Sequence, residues 1–336
     1  MSHRSRRRLR AGVCSPRPPT GFRANSSARE YNGKVAGADD LRARLLGADP
    51  LLLDGALGTE LERRGLPCEL PLWSAHALLG HEETLASIHA DYARAGAEIL
   101  TANTFRTQER TLSRAGLAGR SRDLTRRAVA IAREAGAGHP IFVAGSAAPL
   151  EDCFRPDLVP DDATLRAEHV AHAEALGDAG VDLILVETMN SVREAAAATA
   201  AARSTGLPVF TSFVCGADAR LLSGEALARG VEAAASAGAD AVLINCLPAT
   251  QVSDCLPTLS KARLPFGAYA NLGGPGDTPE APRSHPCSPA ELGEHLDSWI
   301  ASGASLVGGC CGTNPDHIRA LRERLDSLRN RVHRCP

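Results

Sequence analysis

Three cysteines have the type and surroundings for metal chemistry. Cys310 and Cys311 are neighbours in Ser305-Leu-Val-Gly-Gly-Cys-Cys-Gly-Thr-Asn314, where they close a short apolar run. Cys246 ends another such run, Leu243-Ile-Asn-Cys246, about sixty residues upstream. Three thiolates suit zinc, which prefers tetrahedral coordination with Zn–S bonds of ~2.3 Å; with only three protein ligands, a fourth position stays open for catalysis. Two other readings compete. Each thiol can be a buried small hydrophobe, a common fate of free cysteine, and Cys310 with Cys311 can form a redox pair, although a bridge between adjacent cysteines is strained. The chain has ten cysteines and none in a C-x-x-C pair. A metal site must therefore be assembled from distant positions, and the fold decides whether it exists.

The elements that would position these thiols are regular. From about Pro50 onward, short apolar runs alternate with amphipathic helical segments. The runs are Leu51–Asp54, Glu98–Asn103, Ile141–Ser146, Asp182–Glu187, Val209–Phe213, Ala241–Cys246, Phe266–Asn271 and Ser305–Cys310. Each is continuous rather than alternating, as in strands covered on both faces. Helical patterns such as Thr84–Ala95, Thr164–Ala179, Gly224–Ala237 and Pro315–Leu328 lie between them. Eight strand–helix repeats point to a single α/β domain, a (β/α)8 TIM barrel over residues 41–330. A doubly wound open sheet is the alternative, but no G-x-G-x-x-G follows the first run.

A second regularity has a period of two strands. Pro50, Pro140, Pro208 and Pro265 precede the odd-numbered runs, while Gly96, Gly180, Gly238 and Gly303 each lead into an even-numbered one. Proline is tolerated at a strand start, and glycine is the usual left-handed helix terminator. Long connections follow the first, third and seventh runs, at Gly58–Gly80, Ala147–Pro160 and Leu272–Pro289. In a barrel these lie on the C-terminal face, where active sites sit. The last is a mobile lid or an ordered Ω-type excursion.

The strand ends then read as one list. They carry Asp54-Gly55, Asn103, Ser146, Glu187-Thr188, Asn245-Cys246, Asn271 and Cys310-Cys311. Buried singly, such polar groups are costly; clustered at a barrel mouth they form a cup of carboxylate, amide and thiolate. The sixth and eighth strands stand roughly 10 Å apart at twice the strand spacing, within reach of a common ion. Gly308, Gly309 and Gly312 are expected to let the backbone turn sharply between the two adjacent thiols. The remaining cysteines, Cys14, Cys68, Cys153, Cys215, Cys255, Cys287 and Cys335, are read as buried hydrophobes or exposed thiols.

The bulk composition narrows the function classes. Hydrophobic residues make up 44% and charged residues 23%, as in ordinary globular proteins, and the net charge of −2 gives no general pull toward nucleic acid or anionic membrane. No apolar run approaches the ~20 residues of a membrane span. Thiols without a disulfide framework fit a reducing compartment, the cytoplasm. Residues 1–40 differ from the rest. Met1–Arg29 is rich in arginine and lacks any acidic residue. It reads as a disordered basic tail, a start assigned too far upstream or an organelle transit peptide, and not as part of the fold.

Asp54-Gly-Ala-Leu-Gly-Thr-Glu60, Ala102-Asn-Thr-Phe105, Val186-Glu-Thr188, Asn245-Cys246 and Gly308-Gly-Cys-Cys-Gly312 together resemble the signature blocks of the homocysteine S-methyltransferase family, collinear over roughly residues 48–326. The resemblance implies a zinc-containing barrel in which Cys246, Cys310 and Cys311 bind the metal and homocysteine's thiolate takes the open position. Asp54 and Glu187 correspond to residues that bind the substrate amino group; Gly55, Asn103, Trp73, Asn245 and Asn271 complete the expected substrate-binding set. Members that use betaine hold its quaternary ammonium in an aromatic cage. Trp73 matches a tryptophan of that cage, but the positions corresponding to its tyrosines read Arg106 and Thr188. A sulfonium donor, S-methylmethionine or S-adenosylmethionine, is therefore expected, with homocysteine as acceptor and methionine as product. Leu272-Gly273-Gly274 after Asn271 and Leu247-Pro248 after Cys246 depart from the family pattern. A betaine enzyme, a methyltransferase for another thiol or a selenol, and a non-enzymatic zinc or thiol sensor are the alternatives. The fold tolerates monomers through tetramers.

Overall fold

The computed structural model describes residues 38–216, 218–272 and 287–332. Eight parallel strands form its centre: β1 Leu51–Leu52, β2 Ile99–Ala102, β3 Phe142–Ala147, β4 Leu183–Met189, β5 Val209–Phe213, β6 Ala241–Pro248, β7 Phe266–Asn271 and β8 Leu306–Gly309. They are ordered β1-β8-β7-β6-β5-β4-β3-β2. The ring closes between its ends, where Leu53 bridges Ile99 and the Asp54 N–H donates to the Ile99 carbonyl at 3.0 Å. The expected (β/α)8 barrel is the observed one. No helix among the described residues is long and apolar enough to cross a membrane.

Strand parity sorts the core into two layers. Leu51, Leu53, Ile99, Leu183, Leu185, Phe210, Leu243 and Leu306 fill the barrel interior, and Leu41 and Leu45 of helix Ala38–Leu45 join them. Leu52, Leu100, Val143, Ile184, Val209, Val242 and Val307 point outward into the layer shared with the surrounding helices. Asp39 and Asp40, assigned to the tail from sequence, belong to the first turn of helix Ala38–Leu45. The rest of the tail, residues 1–37, lies outside the described residues, as do Cys14 and Cys335. So does most of the connection after β7, at residues 273–286.

The two-strand period acquires a physical cause at the base of the barrel. Gly96, Gly180, Gly238 and Gly303 all have positive φ, between 81° and 99°, and turn the chain from helix into an even strand. Two residues on stand Glu98, Asp182, Asp240 and Ser305. Glu98 donates its N–H to the Leu52 carbonyl, Asp182 to Val143 and Asp240 to Val209, at 2.7–2.8 Å. Their carboxylates accept in return from the N–H groups of Leu52 (3.3 Å), Val143 (2.6 Å) and Val209 (2.8 Å). The fourth pair is served by Ser305, whose N–H donates to Phe266 at 2.8 Å. Each of the first three pairs thus closes a two-way latch that satisfies a buried backbone donor at the start of an odd strand.

Candidate active site

The opposite end of the barrel gathers the polar strand ends. Cys246, Cys310 and Cys311 offer sulfurs that all lie within 4.8 Å of one another, with 3.8 Å between Cys246 and Cys311. Three sulfurs held at ~2.3 Å around a tetrahedral ion stand ~3.8 Å apart, so the cluster has the dimensions of a trithiolate site. The donor chemistry agrees. The Cys246 thiol is held well above its ordinary pKa, first by hydrogen bonding to the Cys310 and Cys311 sulfurs and then by burial. Three crowded thiols resist joint ionisation, and a bound dication is what would allow it.

Local backbone geometry aims these groups. Cys246 has φ +58° and Thr188 φ +60°, left-handed conformations uncommon outside glycine. Asn245 stabilises both turns from behind. Its Oδ1 accepts from the Thr188 N–H (3.1 Å) and the Ser212 hydroxyl (2.7 Å), and its Nδ2 donates to Thr188 Oγ1 (2.8 Å). Asn271 Nδ2 donates to the Cys246 carbonyl at 2.9 Å. Neither asparagine lines the cavity over the sulfurs; both hold its wall.

The glycines around Cys310 act differently from the sequence expectation. Gly312, φ +86°, turns the chain after the second thiol and donates to Thr59 Oγ1 at 2.9 Å. Gly308 and Gly309 lie in β8, outside the left-handed region, and serve close approach instead. A Cβ on Gly309 would stand 2.4 Å from Thr313 Oγ1, and one on Gly308 2.8 Å from Leu53 Cβ. Thr313 uses that space to fasten three segments. Its hydroxyl donates to the Cys310 carbonyl (2.7 Å) and accepts from the Ala56 N–H (3.1 Å), while Gly55 leaves it room. Asn314 caps the next helix, accepting from the Asp316 N–H at 2.9 Å.

Two carboxylates face the sulfurs across the same cavity. Asp54 accepts from the N–H and hydroxyl of Thr101 at 2.7 and 2.9 Å. Glu187 accepts from the hydroxyls of Ser146 and Tyr269, the latter at 3.1 Å. Burial pushes both up to about 7, against the pull of those donors, and each carboxylate's neighbourhood adds negative charge: Glu187 for Asp54, Cys311 for Glu187. A pair of desolvated carboxylates that form no ion pair among the described residues is suited to receive a cation. Asn103, also on the cavity, exchanges hydrogen bonds with Ser74 (2.7 and 2.8 Å) and so ties the turn Trp73–Leu78 to the end of β2. Trp73, φ +49°, lays its indole where a Cβ on Gly58 would stand, 2.5 Å from Nε1.

Tyr269, Thr101 and Thr313 escaped the sequence reading. Tyr269 could have been found by parity: it precedes Asn271 by two residues on a strand and so shares its face. Thr101, two residues before Asn103, carries the same signal, whereas Thr313 carries none. Cys68, Cys153, Cys215 and Cys255 are buried and Cys287 is half-buried. Cys153 lines the cavity mouth from the connection after β3.

A parallel eight-stranded barrel with thiols and paired carboxylates at the C-terminal strand ends has the architecture of a barrel enzyme. Comparison with known proteins narrows the class. Residues 51–325 match the family model for homocysteine S-methyltransferase, and the chain belongs to that family. It is 34% identical over 309 residues to homocysteine S-methyltransferase from Escherichia coli, covering 84% of this chain and 98% of that one. It is 30% identical to the selenocysteine methyltransferase of Astragalus bisulcatus, covering 82% and 92%. Among solved structures, the metallated form of the homocysteine methyltransferase MmuM from Escherichia coli superposes with a TM-score of 0.72 at 32% identity, covering 84% of this chain and 99% of that one.

Proposed function

We propose that the protein is a zinc-dependent methyltransferase that moves a methyl group from a sulfonium donor to the thiolate of homocysteine, forming methionine. The observation that carries this reading is the placement of three sulfurs, within 4.8 Å of one another, on one cavity with two buried carboxylates. Cys246, Cys310 and Cys311 would hold the metal, and a bound zinc ion would supply the positive charge that keeps an incoming thiol deprotonated near neutral pH. Asp54 and Glu187 receive the substrate ammonium, and Tyr269, Ser146 and Thr101 orient the two carboxylates toward it.

The reaction makes modest demands beyond that. The acceptor thiol releases its proton to solvent, its sulfur attacks the donor methyl carbon, and a new C–S bond forms as the old CH3–S+ bond breaks. The donor leaves as a neutral thioether, so no general acid is needed. Much of the rate then comes from holding sulfur and methyl in line. With S-methylmethionine as donor, both products are methionine. Arg106 and Thr188 at the positions of the cage tyrosines support a sulfonium donor over betaine. The similarity to a selenocysteine methyltransferase favours a second reading, in which a selenol is also accepted. A reducing cytoplasm suits a chain that keeps three clustered thiols and five other free cysteines among its described residues.

Metal analysis and single-turnover assays test the reading. The purified protein should hold one zinc per chain and form methionine from homocysteine and S-methylmethionine, with betaine inactive. Cys310→Ala should lose both the metal and turnover. Stoichiometric zinc without methyl transfer to any thiol or selenol would leave a sensor as the better description.

A further inference from the structure

Arg106 has no place in the chemistry described so far, yet its position is unusual. It lies just beyond β2, lines the cavity and is only 7% exposed. Guanidinium stays charged at any physiological pH. Among the described residues no carboxylate forms an ion pair with it; Nη1 donates to the Glu151 carbonyl at 3.0 Å, and Nε is buried with no partner. Its guanidinium carbon stands 5.1 Å from the centre of the Phe105 ring. A buried cation without a counter-charge is costly unless an anion completes it, and the open side of this one is the cavity.

Resting on the methyl-transfer reading above, we infer that Arg106 is the carboxylate anchor for the methyl donor and restricts donors to sulfonium compounds that carry a carboxylate. Groups of both signs line the one cavity. Asp54 after β1 and Glu187 in β4 supply negative charge for an ammonium, whereas Arg106, beyond the end of β2, supplies positive charge beside Phe105 and the connection after β3. A sulfonium approaching Arg106 alone would be repelled by like charge. A donor that places a carboxylate between the two cations turns that repulsion into a hydrogen-bonded pair.

Calorimetric titration of the zinc-loaded protein with S-methylmethionine and with its carboxamide tests this without relying on turnover. The parent should bind the carboxylate form at least tenfold more tightly, and Arg106→Met should erase the difference by weakening only that form. Steady-state assays add a second readout. Arg106→Met should raise the KM for S-methylmethionine about thirtyfold, leave the KM for homocysteine unchanged, and improve the relative use of trimethylsulfonium, which has no carboxylate. Arg106→Lys should recover part of the loss. Equal binding of acid and amide by the parent, or a shift confined to homocysteine, would overturn the assignment. Absence of methyl transfer alongside clear acid-over-amide discrimination would instead count against the proposed reaction and leave the anchor standing.

Discussion

Asn245 clamps Thr188 from two directions: its Oδ1 accepts from the Thr188 N–H at 3.1 Å and its Nδ2 donates to Thr188 Oγ1 at 2.8 Å. Each partner is the chain neighbour of a site residue, Cys246 in one case and Glu187 in the other, and Thr188 and Cys246 both have left-handed backbones. One amide side chain therefore sets the spacing between a candidate metal ligand and a candidate substrate carboxylate. Asn245→Ala strips a buried N–H of its acceptor and should cost about 1–3 kcal/mol in urea denaturation. Zinc affinity, read by competition with a chelator, should fall together with it. A variant with unchanged zinc affinity would show that the clamp serves stability alone.

Gly309 and Thr313 should prove inseparable. Gly309→Ala drives a methyl group to within 2.4 Å of Thr313 Oγ1, the hydroxyl that holds the Cys310 carbonyl. Overpacking of this kind costs about 1–3 kcal/mol, and zinc retention should suffer because Cys310 moves. Thr313→Ala in the same chain should recover only part of the stability, since Cβ also crowds the position at 2.7 Å.

Asp54 gives a pH signature in the metal-free, substrate-free protein. In the folded state burial keeps its carboxyl protonated up to about 7, whereas the unfolded chain ionises near the ordinary 3.8. Between those values the folded state binds more protons, so stability is full below the lower pH and is lost as pH rises toward 7. Asp54→Asn cannot ionise and escapes that loss. The melting temperature of the variant relative to the parent should rise from pH 4 to pH 7 and then level off. The full difference is at most about 4 kcal/mol. A gap independent of pH would contradict the assignment of a protonated Asp54.

Tyr269→Phe removes the 3.1 Å hydrogen bond to Glu187 while keeping the ring that packs in the barrel. The KM for homocysteine should increase about five- to tenfold with kcat nearly unchanged, the size of one ordinary net hydrogen bond. With one donor fewer, the Glu187 carboxyl should ionise at higher pH still. The rising limb of the kcat/KM profile should shift upward in step.

How much of this was legible beforehand follows from what is local and what depends on closure. The eight strands showed in runs such as Val209–Phe213 and Phe266–Asn271, whose observed bounds coincide with the sequence reading. The proline and glycine marks located strand starts, because a terminator is a property of its own few residues. Thr313 and the clamp at Asn245 were hidden because partners such as Ala56, Thr188 and Ser212 belong to other units of the barrel, and only the closed ring brings them together. Gly308 and Gly309 misled for the same reason. A glycine needed for close approach looks identical in sequence to one needed for a turn; the neighbour that decides is Leu53, far back in the chain, for Gly308, and Thr313, brought back by the turn after Cys311, for Gly309.

The carboxylate latches at the base have a consequence for how the chain can be cut and rejoined. They join β1 to β2, β3 to β4 and β5 to β6 through Glu98, Asp182 and Asp240, and none joins β2 to β3 or β4 to β5. The barrel is thus built from quarter-sized modules, three of which carry their own carboxylate fastening, while the β7–β8 quarter relies on the Ser305 N–H bond to Phe266. Circular permutants opened just before β3 or β5 keep every latch within a continuous stretch of chain, whereas openings before β2 or β4 split one between the two new termini. Exchange of whole quarters between relatives should likewise tolerate seams that fall at the proline-marked strands.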